Sequence, residues 1–257
     1  MAAEAERARG RGAMEGVWEL VGMVGDVLGH VAGGRVPPVP LLKACAARGL
    51  GYGLVGASSV IKLPQVLNVV RAGSAEGLAP SAFEAEAFVY TITCLYSLDR
   101  GLSFSNYGES ALILVQSLAL LGMLYRYSGA PLWRVAAFLC AYGGLLGAFF
   151  TGKLSHEAVD ALFGANTVLY VASRVMQIWQ NYRAGATGQL SSATFGANTV
   201  GSAVRVFTSV VEGAGAPMVR TFALGTALNA VILGQIVLYT RQRATAAAKK
   251  LQKKKKK

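Results

Sequence analysis

From Gly49 to Thr240, long apolar stretches alternate with short polar or proline-containing segments. The predicted spans are 49–70, 80–98, 108–127, 131–151, 161–182, 193–211 and 217–240. Each is close to the length of about 20 residues that an α-helix needs to cross a bilayer. Pro80, Pro131 and Pro217 stand at the starts of three spans, where the missing N–H of proline costs nothing. The pattern predicts an all-α integral membrane protein with seven transmembrane helices.

Composition agrees with this class of protein. The chain has 257 residues, of which 53% are hydrophobic and 15% are charged, whereas soluble domains carry about 25% charged residues. The net charge of +12 is concentrated in the last 17 residues, which contain nine of the 25 basic side chains. Such a tail is typical of a cytosolic segment beside a membrane and does not indicate a nucleic-acid partner. The C-terminus is therefore predicted to be cytosolic and the N-terminus to lie on the other side.

The N-terminal segment has a different pattern. Val17, Trp18, Val21, Val24 and Leu28 recur at near-helical spacing with acidic residues between them. This spacing predicts a short amphipathic helix on the membrane surface. A cluster of three prolines then separates it from the apolar spans.

An internal repeat is the most informative feature of the sequence. Residues 62–83 align without gaps with residues 174–195, which lie 112 positions later, and share Arg-Ala-Gly at 71–73 and 183–185. Four predicted crossings separate the copies, so both face the same way across the bilayer. The prediction is two parallel three-helix bundles, spans 1–3 and 5–7, joined by linker helix 4. The corresponding segments are 1–40 (N-terminal), 41–127 (first bundle), 128–156 (linker), 157–240 (second bundle) and 241–257 (basic tail).

The motif Lys62-Leu63-Pro64-Gln65, followed by Ser-Ala-Glu-Gly-Leu at 74–78, resembles the first signature of the PQ-loop family. Its members include SWEET sugar transporters, lysosomal cystine-type exporters and the KDEL receptor. Within it the chain is most similar to the mannose-P-dolichol utilization defect 1 family. That resemblance extends from about Leu41 to Arg243 and includes residues 107–109, 181–182, 187–191 and 205–209. The second signature has Met176 before its glutamine, so the proline occurs only in the first half.

The resemblance implies a multi-pass protein of the endoplasmic reticulum membrane. It would be required for the use of dolichol-phosphate-mannose and dolichol-phosphate-glucose in lumenal glycosylation (N-glycan precursor, O-mannosyl groups and GPI anchors), by handling, presenting or scrambling the lipid. The implied partners are these lipids and lumenal glycosyltransferases; the oligomeric state stays open. Lys254 and Lys255 have the spacing of a dilysine retrieval signal on a cytosolic tail; the alternative is a plain polybasic end, since every neighbour is also lysine.

Charged and amide side chains inside the spans are the candidates for ligand binding. A charge in a span costs about 2.5 to 3.5 kcal/mol and usually faces an interior or a cavity. A phosphodiester that carries a sugar suits cationic side chains for its charge and amides for the sugar hydroxyls. Glu86 is expected to neutralise one cation when no lipid is bound. The candidate ligand-binding residues are Lys62, Gln65, Glu86, Arg174, Gln177, Asn181, Asn198 and Arg205.

The charged residues and Pro64 also have structural explanations. Ion pairs that stabilise the fold would explain the same charges, and Glu84 and Arg134, near span ends, are assigned to that role. Pro64, the one proline inside a span, is either a gating hinge or a static kink.

Two other functions fit parts of the pattern. A SWEET-like carrier of a small sugar or amino acid would use amides and aromatics such as Trp179. A cargo receptor would need larger lumenal loops. No catalytic set, cofactor motif or metal-ligand spacing occurs, so an enzyme is not predicted.

Overall fold

The computed structural model describes residues 13–75, 78–188 and 190–255, with side chains described for 14–242 of these. The described residues form helices joined by short turns and contain no strand. The helices are α1 Ala13–Ala32, α2 Val39–Ser58, α3 Leu63–Ala72, α4 Pro80–Asp99, α5 Phe104–Ser128, α6 Leu132–Phe150, α7 His156–Ala184, α8 Ser192–Val211 and α9 Ala216–Lys255.

Helices occupy all seven predicted apolar stretches. Four segments are long and apolar enough to cross a membrane by length and composition: Val39–Ala72, Phe104–Ser128, Leu132–Phe150 and Ala216–Gln242. The helices α4, α7 and α8 are not among them. The described part of the chain is therefore all-helical and contains four candidate membrane spans. The order of seven crossings stays a prediction.

The first predicted span differs most from the structure. It begins at Val39, ten residues before the predicted start, because Pro40 lies in the first turn of α2, where no backbone N–H is required. Pro40 thus lies in the first turn of α2, whereas Pro37 and Pro38 lie in the segment between α1 and α2. The span is also interrupted: α2 ends at Ser58 and α3 begins at Leu63, with Pro64 in its first turn.

The amphipathic pattern of the N-terminal segment does form a helix, α1. It packs along α2 and α5, and Glu19 forms an ion pair with Arg48 of α2. The side chains of Trp18 and Leu28 point away from these contacts and are largely exposed. An apolar outer face is what a helix against lipid requires, and its position on a membrane surface stays a prediction.

Two compact units can be distinguished. The first contains α1 to α6, the start of α7 up to Asn166, and Val211–Ala214. Its apolar core joins α4, α5 and α6, with Phe83, Leu120 and Phe138 buried in one cluster. The predicted linker helix α6 thus packs against α4, where the Tyr142 hydroxyl lies 2.8 Å from that of Thr91.

The second unit contains Thr167–Val210 and the chain from Gly215 onward. It consists of most of α7, α8 and α9. Phe195 of α8 packs with Ile232 and Ile236 of α9, and Ile178 of α7 lies against this cluster. The helices of this unit are therefore held by a small apolar core of their own.

Candidate functional site

Lys62 stands at the break between α2 and α3, and its ammonium group is paired. The Lys62 Nζ lies 2.5 Å from Glu86 Oε2 on α4 and 5.1 Å from the centre of the Phe83 ring. Ser117 of α5 also donates to Glu86, at 3.3 Å. A carboxylate and an aromatic face together compensate the charge of Lys62. In the structure the first half of the repeat therefore presents no free cation at this position.

Arg174 occupies the equivalent position in the second half and has different surroundings. Its guanidinium carbon lies 5.3 Å from the Tyr170 ring centre and 5.5 Å from that of Phe195, the repeat equivalent of Phe83. The described residues place no carboxylate in an ion pair with Arg174. Its Nε is buried and has no hydrogen-bond partner in the described part of the chain. Arg174 is thus a partly buried cation between two aromatic rings, with donor capacity to spare.

A chain of amides continues along the same helix. Gln177 Nε2 donates to Asn181 Oδ1 at 2.9 Å, and Asn181 Nδ2 donates to Gln235 Oε1 of α9 at 2.9 Å. Gln235 Nε2 in turn donates to the Ile178 carbonyl at 3.0 Å. Because Tyr170, Arg174, Gln177 and Asn181 are spaced by three or four residues, they lie on one face of α7.

The break in the first half is bridged by a residue that the sequence analysis missed. Gln116 of α5 accepts a hydrogen bond from the Lys62 backbone N–H at 3.0 Å and donates one to the Ser58 carbonyl at 2.9 Å. Gln116 therefore supplies the partner of the Lys62 N–H, and it shares the Ser58 carbonyl with the Ile61 N–H of the turn. Gln116 and Gln235 have similar roles, since each joins the third helix of its half to the first. A lone glutamine within an apolar stretch was the available signal.

The remaining candidate residues are dispersed. Arg205 is buried, with 2% of its surface exposed, within α8, whereas Asn198 on the same helix is exposed. Gln65 is half-buried in the first turn of α3. The structure brings together Lys62 with Glu86 and Gln177 with Asn181. Lys254 and Lys255 have side chains outside the described residues, as do Glu76 and Gly77 of the first signature.

Two further ion pairs tie elements of the first unit together. Glu84 accepts from both Nε and Nη2 of Arg134 at 2.9 and 3.1 Å, and from the Tyr125 hydroxyl at 2.7 Å. These residues thus form a structural pair between α4 and α6, the role assigned to them from sequence. At the other end of α4, Arg100 binds Asp160 of α7, and this hydrogen bond raises the pKa of the Arg100 guanidinium.

The described residues contain no group of three or more His, Cys, Asp or Glu side chains that could hold a metal ion. Cys45, Cys94 and Cys140 are all free thiols. The groups that could contact a ligand are the Arg174 guanidinium, the aromatic rings beside it and the amides of Gln177 and Asn181.

Comparison with known proteins supports the repeat. The model of the PQ loop repeat family matches residues 46–106 and 158–217. The two matches begin 112 residues apart, which is the offset of the internal repeat. A human protein, Solute carrier family 66 member 3, is 21% identical over 188 residues, which cover 73% of this chain and 91% of that protein. No solved structure matches the chain. The family model thus matches one segment in each half of the chain, and the human protein is similar to the chain at low identity.

Proposed function

We propose that this multi-pass membrane protein binds dolichol-phosphate sugars and makes them available for lumenal glycosylation in the endoplasmic reticulum, without itself catalysing a reaction. The observation that carries the proposal is Arg174, a partly buried cation held between Tyr170 and Phe195, with which no carboxylate of the described residues forms an ion pair. The motif resemblance to the mannose-P-dolichol utilization defect 1 family supplies the lipid class.

The surroundings of Arg174 suit the head of such a lipid. A sugar phosphodiester has one negative charge, and a guanidinium can bind a phosphate through two parallel N–H groups. The amides of Gln177 and Asn181 follow on the same face of α7 and can exchange hydrogen bonds with sugar hydroxyls. Arg174 would then hold the phosphate, and the amide chain would hold the sugar.

The first half would have a different role. Because Glu86 neutralises Lys62, this half adds little net attraction for an anion. The proposal therefore assigns the phosphate to the second half and leaves Lys62 as a conditional ligand, available only if Glu86 releases it.

A carrier of a small solute is the second candidate. It is favoured by the name of the human relative, which classes that protein as a solute carrier. A neutral sugar would need no cation, so the two functions differ in their dependence on Arg174.

The experiment compares the full chain with Arg174→Gln and Arg183→Gln in lipid nanodiscs. Arg183 is an exposed residue in the last turn of the same helix, so its variant is a control with the same change in charge. We expect Arg174→Gln to bind dolichol-phosphate-mannose at least about tenfold more weakly, since it loses a charge-assisted hydrogen bond. Arg183→Gln should bind normally, and both should keep the thermal stability of the parent.

Unchanged lipid binding by Arg174→Gln would contradict the proposal. If the parent and Arg174→Gln instead bind free mannose equally well and neither binds the lipid, the solute-carrier function is the correct one.

A further inference from the structure

A polar cavity of about 400 Å³ lies at one end of the first unit, away from Lys62. It is lined by α1, the middle of α2 from Ala44 to Tyr52, the turn between α4 and α5, and the end of α8 with the segment that follows it. Its charged lining residues are Glu19, Arg48, Arg100 and Glu212. The predicted order of crossings places the turn around 100–103 and the segment around 212–215 on the side opposite the cytosol.

Glu212 is the central group of this cavity. Its Oε2 accepts hydrogen bonds from Ser103 at 2.5 Å, Ser105 at 2.7 Å and Asn106 at 2.5 Å. Its Oε1 is buried and has no hydrogen-bond partner among the described residues, and the same holds for the Oδ1 atom of Asn106. Asn106 itself is 3% exposed. Two buried acceptors thus lack donors, and a buried acceptor without a donor costs about 1 to 3 kcal/mol.

The other charged groups of the cavity leave the negative charge of Glu212 uncompensated. Arg48 is paired with Glu19, and Arg100 is paired with Asp160. No lysine or arginine of the described residues forms an ion pair with Glu212. The three donors that hold its Oε2 are neutral, so they fix the position of the carboxylate without neutralising it.

We propose that this cavity binds a small solute through a protonated primary amine, with Glu212 Oε1 as the acceptor. An ammonium group supplies up to three donors and a positive charge, which matches the unpartnered Oε1 and the uncompensated charge of Glu212, a residue that lines the cavity. The volume accommodates a molecule of several heavy atoms together with water. The site shares no residue with the one around Arg174 and does not depend on the function proposed for that site.

The probe is ethanolamine, and ethylene glycol is its neutral counterpart of equal size. Binding is measured by titration calorimetry on the detergent-solubilised full chain. We expect ethanolamine to bind and ethylene glycol to bind at least about tenfold more weakly, because it lacks the charge. Glu212→Gln should reduce ethanolamine binding by a similar factor.

Glu157→Gln is the matched control, since Glu157 is exposed at the start of α7 and does not line the cavity. It removes the same charge and should leave ethanolamine binding unchanged. If Glu212→Gln does not fold, Ala44→Leu tests the site by filling the cavity from α2 while keeping the carboxylate, and it should also weaken binding. Equal binding of ethanolamine and ethylene glycol, or normal ethanolamine binding by both cavity variants, would overturn the proposal and leave water as the occupant.

A primary amine can come from a soluble solute or from the headgroup of phosphatidylethanolamine. Nanodiscs of phosphatidylcholine alone and of phosphatidylcholine with phosphatidylethanolamine distinguish these sources. Competition by the second lipid would identify a headgroup site, and equal ethanolamine affinity in both would identify a soluble amine.

Discussion

Lys62 and Arg174 hold the same place in the two halves, and each lies over the equivalent phenylalanine. Their electrostatic surroundings nevertheless differ. Three positions after the phenylalanine stands an acid, Glu86, in the first half and an amide, Asn198, in the second. This single difference gives Lys62 an ion-pair partner, whereas the described residues place no carboxylate in an ion pair with Arg174. The choice of side chain at one helical position thus separates a structural residue from a candidate ligand.

The ion pair of Lys62 predicts a specific pattern of stabilities. Lys62→Gln leaves Glu86 charged and without its cation, and we expect it to lower the free energy of unfolding by about 1 to 3 kcal/mol. This is less than for a fully buried pair because both side chains keep some exposure. The double variant Lys62→Gln, Glu86→Gln should recover most of the loss, as measured by thermal unfolding in detergent.

Arg174→Gln is the control for this double-variant comparison, since it removes a cation that has no carboxylate partner in the described residues. It should unfold close to the parent. If Lys62→Gln proves as stable as the parent, the pair with Glu86 contributes nothing to the fold, and Lys62 again becomes a direct candidate for the ligand.

At the scale of elements, the interruption between α2 and α3 is the most distinctive feature. Pro64 lies in the first turn of α3, where a backbone N–H has no partner within the helix. Replacing it with alanine therefore restores no internal hydrogen bond, contrary to the expectation for a proline in the middle of a span. Gln116 stabilises the break through the Ser58 carbonyl and the Lys62 N–H, together with the backbone hydrogen bonds of the turn.

Gln116→Leu should destabilise the protein more than Pro64→Ala does. The leucine leaves the partly buried Lys62 N–H without a partner, at about 1 to 3 kcal/mol, and removes one of the two donors of the Ser58 carbonyl, which keeps the Ile61 N–H. Pro64→Ala should change the unfolding free energy little. Gln116→Glu is an intermediate control because it keeps an acceptor for Lys62 and loses the donor for Ser58. Thermal unfolding of the three variants is the measurement, and a stable Gln116→Leu would show that the break is held by packing alone.

The sequence alone predicted the features of the fold that depend on local pattern. Apolar length and proline position predicted α4 to α8 within a few residues, and the break near Pro64 followed from the chemistry of proline. The start of α2 was missed because Pro40 was interpreted as a breaker, although it fits a first turn equally well. Glu86 was expected to neutralise a cation, and the structure pairs it with Lys62. The partners of Gln116 and Glu212 could not be predicted, since these contacts join residues 54 and 109 positions apart.

At the scale of the whole molecule, polar contacts explain how helices of lower hydropathy can belong to a membrane protein. The helices α4, α7 and α8 are not among the four apolar candidate spans. Much of their polarity is used internally: Glu84 and Glu86 of α4 are paired, and Asn181 of α7 is hydrogen-bonded. Polar side chains satisfied inside a bundle do not face lipid, so these helices remain compatible with a multi-pass protein.

The internal repeat itself provides a test that spans both halves of the molecule. Asn198→Glu places in the second half the carboxylate that Glu86 supplies in the first, and repeat equivalence puts it within reach of Arg174. We expect the variant to fold as well as the parent, because the new charge gains a cation. It should bind dolichol-phosphate-mannose at least about tenfold more weakly, since the phosphate must then displace the carboxylate from Arg174. Asn198→Gln, which adds no charge, controls for the change in side-chain size. Equal lipid binding by the two variants, measured in nanodiscs, would show that Arg174 does not bind the phosphate.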